Sequence, residues 1–543
     1  MISFNLIDEP WIPCRTSGGI SKLGISQALV NAHLITEIYH PSPLATASLH
    51  RLLLAILHRN FGPVDASEWE RLWEAGQWDE AILRGYFNRW YCRFNLFDDR
   101  RPFYQCVSLD FSYETSIAKL FYEMALGNNA TLFDHTLESS PPAILPDEAA
   151  CALVAQQSFA VGGLITLEKG QDPAKFRSAK NAPLTKGAVV LIKGANLFQT
   201  LMLNLHRYCP QEGEPFDFDE AEDLPAWERD EETRPEERRP KGYLDLLTWQ
   251  SRRIKFHPEE NADGTIMVRK VVIMKGNWFP KDYSLHGKET MLAFAKNEKA
   301  ATDKDPWPPI TFQEDRALWR DSLALFQSVE GKTSRPKTLA WLSELVSEGI
   351  IAGSYSYNLS VMGLVTNKAS VILWRHERLP LPLRYLNYER LLAQLKVSLD
   401  IAEEVGECLR ASSWHLAQLL IVGDAKNINR QQKDEISKLL THLGVEQPFW
   451  AQLGIMFPGV ISGLAEDVTT VGEDTFYGLN TIPWWAQEVR LAALHAFEEV
   501  VNSLDHSSRV LKAVAKAEPN FRYKLNNILN KALEPYKIPA ERR

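Results

Sequence analysis

Asp134 is followed directly by His135, and such a pair can act as a general base when a substrate and an orienting group complete it. The sequence supplies neither. No G-x-S-x-G, Walker P-loop, H-E-x-x-H or G-x-G-x-x-G pattern occurs. His376, in WRHER, stands between basic residues without a nucleophile beside it. The six cysteines, Cys14, Cys92, Cys106, Cys151, Cys209 and Cys408, are scattered singly with no C-x-x-C spacing. Neither a zinc ribbon nor a redox pair is expected, and no cofactor or metal is implied. An adjacent Asp and His are more often a structural hydrogen bond than a catalytic dyad. A cytoplasmic hydrolase working at Asp134/His135 is therefore the alternative, and a binding function the main reading.

The remaining chemistry suits recognition. LGNNATLFDH (126–135) offers the amides of Asn128 and Asn129, which can bond to bases or phosphates. FAVGGLITLEKGQ (159–171) contains Gly162 and Gly163, where a backbone without side chains can approach a ligand closely. VTNKASVILWRHER (365–378) places Asn367 and Lys368 ahead of a strand-like run. Each has a plainer reading as an ordinary turn.

The net charge of −9 argues against a protein wrapped in nucleic acid, but it is unevenly spread. Residues 211–240 hold 13 acids and 4 arginines, so this one segment carries the whole excess. Its prolines and charges predict a surface insertion rather than a packed element. KGQDPAKFRSAKNAPLTKG (169–187) is basic, as is the region from Arg252 to Lys304, and local cations on an acidic protein can still contact phosphates selectively. No stretch reads as a membrane span, so no membrane partner is expected. Unpaired thiols point to a reducing, cytoplasmic setting.

The elements that must hold these loops follow from periodicity. LATASLHRLLLAILHRNF (44–61) has helical spacing, AVVLIKG and RKVVIMKGNW predict short β-branched strands, and ANLFQTLMLNLHRY predicts a helix. FNLIDEPWIP (4–13) predicts a short strand that seeds an N-terminal sheet, then prolines that pin Trp11 into the core. LPLPLRYL predicts a proline-punctuated linker. Beyond it come long amphipathic segments with almost no strand signal. The fold class expected is α+β: a large mixed α/β domain over 1–380, with an acidic insertion at about 211–240, then a C-terminal antiparallel four-helix bundle over 381–543.

FNLIDEPWIP, GNNATLFDH, VGGLITLEKG, YLDLLTWQSRR and NKASVILWRHE, in this order, resemble the CasA family, the large subunits of the type I-E CRISPR surveillance complex Cascade. The resemblance covers nearly the whole chain. It implies a non-catalytic subunit that recognises the PAM in double-stranded DNA, while guide RNA reads the target by pairing. It also implies help in opening the duplex to start an R-loop and in recruiting the effector helicase–nuclease. Implied partners are the other Cascade subunits, CRISPR RNA, target DNA and that helicase–nuclease.

In this family the PAM is read in the minor groove by a glycine loop, a lysine finger and a wedge at a hairpin tip. The glycine loop maps to Gly162 and Gly163, and the wedge to Asn367, Lys368 and Ala369. A glutamine is expected at the wedge centre, where this chain has Lys368. The finger maps to Lys288 or Lys281, with Lys288 preferred and Lys275 less suited. A loop that docks the subunit onto the complex and the RNA handle maps to Gly127, Asn128, Asn129, Thr131, Leu132 and Phe133. The cysteine-rich insertion of some relatives is absent, so no zinc is expected.

Overall fold

A computed structural model describes residues 2–124, 140–209, 215–216, 222–300, 305–367, 370–425, 427–471 and 474–537. The chain divides into two compact units. The first comprises Met1–Glu314, Gln327–Ala352 and Tyr357–Arg378; the second comprises Asp315–Phe326, Gly353–Ser356 and Leu379–Arg543.

The chain begins β1 (Ile12–Thr16), β2 (Gly19–Leu23), α1 (Ile25–Val30), β3 (Glu37–Ile38), α2 (Pro43–Phe61), α3 (Ala66–Ala75) and α4 (Glu80–Trp90). It continues with β4 (Thr115–Ser116), α5 (Pro146–Phe159), β5 (Gly163–Leu164), α6 (Pro173–Phe176), β6 (Ser178–Ala179), β7 (Val189–Lys193), α7 (Leu197–Asn204) and α8 (Tyr243–Leu247). Then come β8 (Arg252–Glu260), β9 (Ile266–Lys275), β10 (Phe294–Ala295), α9 (Ser322–Phe326), β11 (Thr333–Ser334), α10 (Lys337–Ser347), β12 (Ser356–Asn367) and β13 (Ser370–Pro382).

The first unit is built around α2, which is buried from Pro43 to Leu57 on nearly every face and packs against α5, α7 and α8. A helix that is apolar all round has to be central. Around it stand three-stranded sheets ordered β2-β1-β3, β4-β9-β8 and β13-β12-β7. β7 is a largely apolar strand paired antiparallel with β12, Val189 against Met362 and Lys193 against Asn358.

The second unit carries α11 (Glu389–Ile421), α12 (Arg430–Leu443), α13 (Glu446–Glu466), β14 (Val468–Val471), β15 (Asp474–Tyr477), α14 (Thr481–Ser503) and α15 (Ser508–Leu533), together with α9. α11 packs against α12, α13, α14 and α15, and α13 against α14. The indole of Trp485 on α14 donates to the Ser398 carbonyl of α11 at 2.8 Å, and Arg320 and Arg316 share Glu403.

Several expectations are corrected. Leu6, Ile7 and Trp11 are buried and the Trp11 indole donates to Leu6 O at 2.9 Å, but the N-terminal sheet starts only at Ile12. The LPLP run is the end of β13, not a linker. Leu379 and Leu381 are buried, and Pro380 and Pro382 fall on the strand where a missing N–H is tolerated, at a sheet edge. The hairpin β14–β15 interrupts the helical region. Residues 447–465 carry no charge, and they make α13 apolar and long enough to cross a membrane, contrary to the expectation that no stretch would. Phe449, Leu453, Phe457, Val460, Ile461 and Leu464 are buried, as in a core helix.

The acidic segment also departs from expectation, because residues 222–240 are packed. Glu228 is buried and accepts from Arg59 and from Tyr86 Oη at 2.7 Å. Glu237 accepts from the Trp278 indole at 2.9 Å. Asp223 accepts from Tyr208 Oη and from the amides of Leu244 and Asp245. Arg229 and Arg238 close on the fully buried Asp245. Burial alone would raise the Asp245 carboxyl, but the two guanidiniums override it and hold it below its usual range.

Candidate nucleic-acid interface

Gly162 and Gly163 lead into the small hairpin β5–β6, with Gly163 opposite Ala179 and Leu164 opposite Ser178. The base of this hairpin is tied by a buried cation. Arg252 donates to Val161 O at 2.8 Å and to Lys180 O at 3.0 Å, so one guanidinium holds both arms. Gly162 N donates to Asn181 Oδ1 at 2.7 Å. A Cβ at Gly162 would stand 3.0 Å from Ala179 O and from Asn181, so the hairpin's own closeness favours glycine there. Farther out, Arg253 pairs with Glu168 at 2.5 Å, and Lys169 N donates to Tyr113 Oη at 2.8 Å.

Lys275 belongs to this scaffold. Its ammonium donates to Lys175 O at 2.8 Å and lies 3.6 Å from the Trp278 ring centroid. Burial lowers its pKa. It is a strut for the basic loop and not a finger reaching outward.

The second loop, 280–289, carries the other two lysines. Lys281 is exposed, whereas Lys288 is half-buried, donating to Ser284 O at 3.3 Å and lying 4.9 Å from the Tyr283 ring. Gly287 turns the chain at φ +76°. His286 stacks on Trp307 at 4.0 Å, and burial holds its imidazole below the usual value. The loop ends on a buried ion pair: both Glu289 oxygens accept from Arg51 at 2.8 Å, and Arg51 also donates to Leu246 O and Leu247 O.

The third element is the β12–β13 hairpin. Asn367 is exposed at the end of β12 and Ser370 opens β13; Lys368 and Ala369, between them, lie outside the described residues. So do Gly127, Asn128, Asn129, Thr131, Leu132 and Phe133, and the alternative pair Asp134 and His135.

The three elements share one root. Val161, one residue before Gly162, Leu285, three before Lys288, and Val371, two after Ala369, all pack on a single core cluster. That cluster includes Phe159, Val189, Leu191, Leu292, Phe294, Met362 and Leu364. Loops far apart in sequence therefore leave the same patch of core.

The family model for the CRISPR-associated protein Cse1 matches residues 5–496. The chain belongs to the Cse1 family. It is similar to the CRISPR-associated protein CasA/Cse1 of Thermus thermophilus, 32% identical over 534 residues, which are 95% of this chain and 96% of that protein. The crystal structure of Thermus thermophilus CasA superposes with a TM-score of 0.77 at 28% identity, covering 97% of this chain and 100% of that one. Cse1 of Acidimicrobium ferrooxidans shares the fold, with a TM-score of 0.77 at 24% identity and coverage of 98% and 99%. A chain of a CRISPR RNA-guided surveillance complex also shares it, with a TM-score of 0.72 at 20% identity, covering 96% of this chain and 100% of that one.

Within this Cse1 chain the supporting residues Arg51, Glu289, Arg252 and Asn181 escape motif reading. Arg51 alone leaves a trace: an arginine in the middle of the apolar run LHRLLLAILHR has to be paired once that helix is central.

Proposed function

We propose that this chain is the large, non-catalytic subunit of a type I-E Cascade complex in the cytoplasm, where it recognises the PAM in double-stranded DNA through the minor groove. Gly162 and Gly163 lie against the groove floor, Lys288 or Lys281 reaches the base edges, and Asn367, Lys368 and Ala369 part the strands to start the R-loop. The observation that carries this is the shared root of the three elements on one core cluster. Elements that read and open neighbouring base pairs must be held at fixed spacing, and a common packed core does that. The minor-groove pattern is degenerate, so tolerance of several PAM sequences follows. Lys368 cannot accept a hydrogen bond as a glutamine would; its stem wedges and its ammonium seeks a phosphate.

The rest of the chain takes the roles the family implies. The loop around Gly127–Phe133 docks onto the complex and its CRISPR RNA handle. A mixed α/β domain over 1–380 is followed by an antiparallel four-helix bundle over 381–543, a reading supported by the packing of α13, α14 and α15 around α11. The bundle contacts neighbouring subunits and helps recruit the helicase–nuclease.

The test uses the assembled complex and target duplexes that differ only at the PAM. Lys288→Ala and Lys368→Ala should each slow R-loop formation on PAM-bearing targets while leaving assembly intact. If both variants open PAM-bearing targets at the wild-type rate, these residues do not read or part the duplex.

A further inference from the structure

Leu164 is the most exposed large apolar side chain among the described residues, at 82%. Isolated exposed leucines are ordinary on protein surfaces and by themselves mean little. This one differs in its setting. It directly follows Gly162–Gly163 on β5, in a hairpin fixed at its base by Arg252 and Asn181. A side chain on so well anchored a backbone cannot swing inward to bury itself.

The surroundings are cationic. Lys169, Lys175, Arg177 and Lys180 are all exposed on the same hairpin and its connecting turn. None of the four has an ion-pair partner among the described residues, whereas the nearby Glu168 is taken by Arg253. Asp172 caps α6 by accepting from Ala174 N at 2.9 Å. Arg177 O receives the amide of Ile165 at 3.0 Å, which places Arg177 across from the leucine's strand; Lys180 lies two residues beyond Ser178, the residue opposite Leu164. An exposed leucine on a hairpin that carries four exposed cations, of which only Lys175 is engaged, 5.3 Å from the Phe176 ring, on a chain whose net charge is −9, matches a polyanion with an apolar interior. Stacked base pairs between two phosphate strands have that character. A protein partner with a hydrophobic pocket would not require the four cations.

We propose that Leu164 is an intercalating side chain: it enters the minor groove beside the glycines and partly unstacks one base step, while Lys169, Lys175, Arg177 and Lys180 hold the flanking phosphates. This rests on the reading that the glycine hairpin faces duplex DNA. Leucine at a minor-groove surface commonly acts in this way, with the unstacking offset by backbone contacts. The hairpin then begins the opening, and the tip at Asn367–Ala369 widens it.

The experiment compares assembled complexes carrying wild type, Leu164→Ala, Leu164→Met, or the fourfold change of Lys169, Lys175, Arg177 and Lys180 to Gln. Binding is measured across a salt series on two targets, an intact duplex and one pre-opened by mismatches next to the PAM. Leu164→Ala should weaken intact-duplex binding by roughly tenfold, keep the salt slope, and bind the pre-opened target like wild type; Leu164→Met should restore the intact duplex. The fourfold variant should lower the salt slope by about 0.9 for each phosphate no longer neutralised.

If Leu164→Ala matches wild type on both targets while the fourfold variant loses slope, the intercalation is wrong and the DNA-facing hairpin stands. Equal loss on both targets, or loss of assembly, makes Leu164 a protein contact and overturns the proposal. If neither variant changes DNA binding, the DNA-facing reading of this hairpin falls as well.

Discussion

Replacing Glu289 by Gln should cost more than any surface change in this chain. Glu289 and Arg51 have side chains 1% and 2% exposed, and each carboxylate oxygen sits 2.8 Å from a guanidinium nitrogen. Without the carboxylate charge, the Arg51 cation stays buried with neutral acceptors alone, the carbonyls of Leu246 and Leu247 and one amide oxygen, and the second carboxylate position becomes an NH2 that faces a donor. Breaking one side of a buried pair costs about 3–5 kcal/mol, against a whole-domain stability of roughly 5–15 kcal/mol. Replacing both residues by methionine removes both charges together. The remaining cost is about 2–3 kcal/mol, for Leu247 O losing its donor and the buried Met291 amide losing Glu289 as its acceptor, while Leu246 O keeps the Trp249 amide. Urea unfolding followed by tryptophan fluorescence should thus show the double variant more stable than Glu289→Gln alone, by roughly 1–2 kcal/mol. The same substitution frees the end of the loop bearing Lys288, so PAM-dependent opening should fall at temperatures where the chain is still folded. A cost below about 1 kcal/mol for Glu289→Gln would show that water reaches the pair, and the account of how the loop is held would be wrong.

Two further outcomes follow from the buried charges. Burial pushes the imidazoles of His50 and His58 down to about 3, with Lys193 and Lys337 adding to the effect. Both are neutral when folded and protonate near 6.5 when unfolded, so their stability is complete above about pH 6.5 and is lost as pH falls toward the folded value. Two such groups remove roughly 5 kcal/mol between pH 6.5 and 4.5; a His58→Gln variant with the wild-type pH slope would exclude His58 from this. The acidic segment should be tested without deleting it, since Asp223 and Glu228 are part of the core. Asp230→Asn with Glu231→Gln, at side chains 93% and 78% exposed, should raise salt-sensitive non-specific DNA binding. An unchanged salt slope would show that these acids do not screen the surface.

Long, strongly periodic elements are legible in the sequence, and short or tertiary-defined ones are not. LATASLHRLLLAILHRNF forms α2, AVVLIKG forms β7, and the long C-terminal segments form α11–α15, because in each the length and apolar spacing of the run identify the element. In the sequence LPLP reads as a linker because proline speaks against a strand unless the strand lies at an edge, and the sheet order alone reveals that β13 does. The 222–240 segment reads as solvated when its acids are counted without their partners. Arg59, Tyr86 and Trp278, which neutralise or bond to them, lie far away in sequence. For the candidate interface, the glycines and lysines are visible as residue types, but the groups that hold them are not. The sequence ranks Lys288 above Lys275 only by its place in a turn, and the packing of Lys275 against Trp278 supplies the physical reason that it is a strut.

That separation bears on how the proposed DNA recognition would be selective on an acidic protein. If every cation of the basic stretches were free, binding would be strong and indifferent to sequence. Here three are consumed internally: Arg252 and Arg253 in the hairpin base and Lys275 under the loop. They convert positive charge into backbone order. What remains exposed around Gly162–Gly163 is a small group of cations on a rigid hairpin, over a chain that is net negative as a whole. Affinity for arbitrary duplex should then be low, and the proposed recognition should depend on the fit of the hairpin backbone and Leu164 to one groove. A site so arranged gains its discrimination from positioning more than from charge, so the buried anchors should be as sensitive to mutation as the residues proposed to touch DNA.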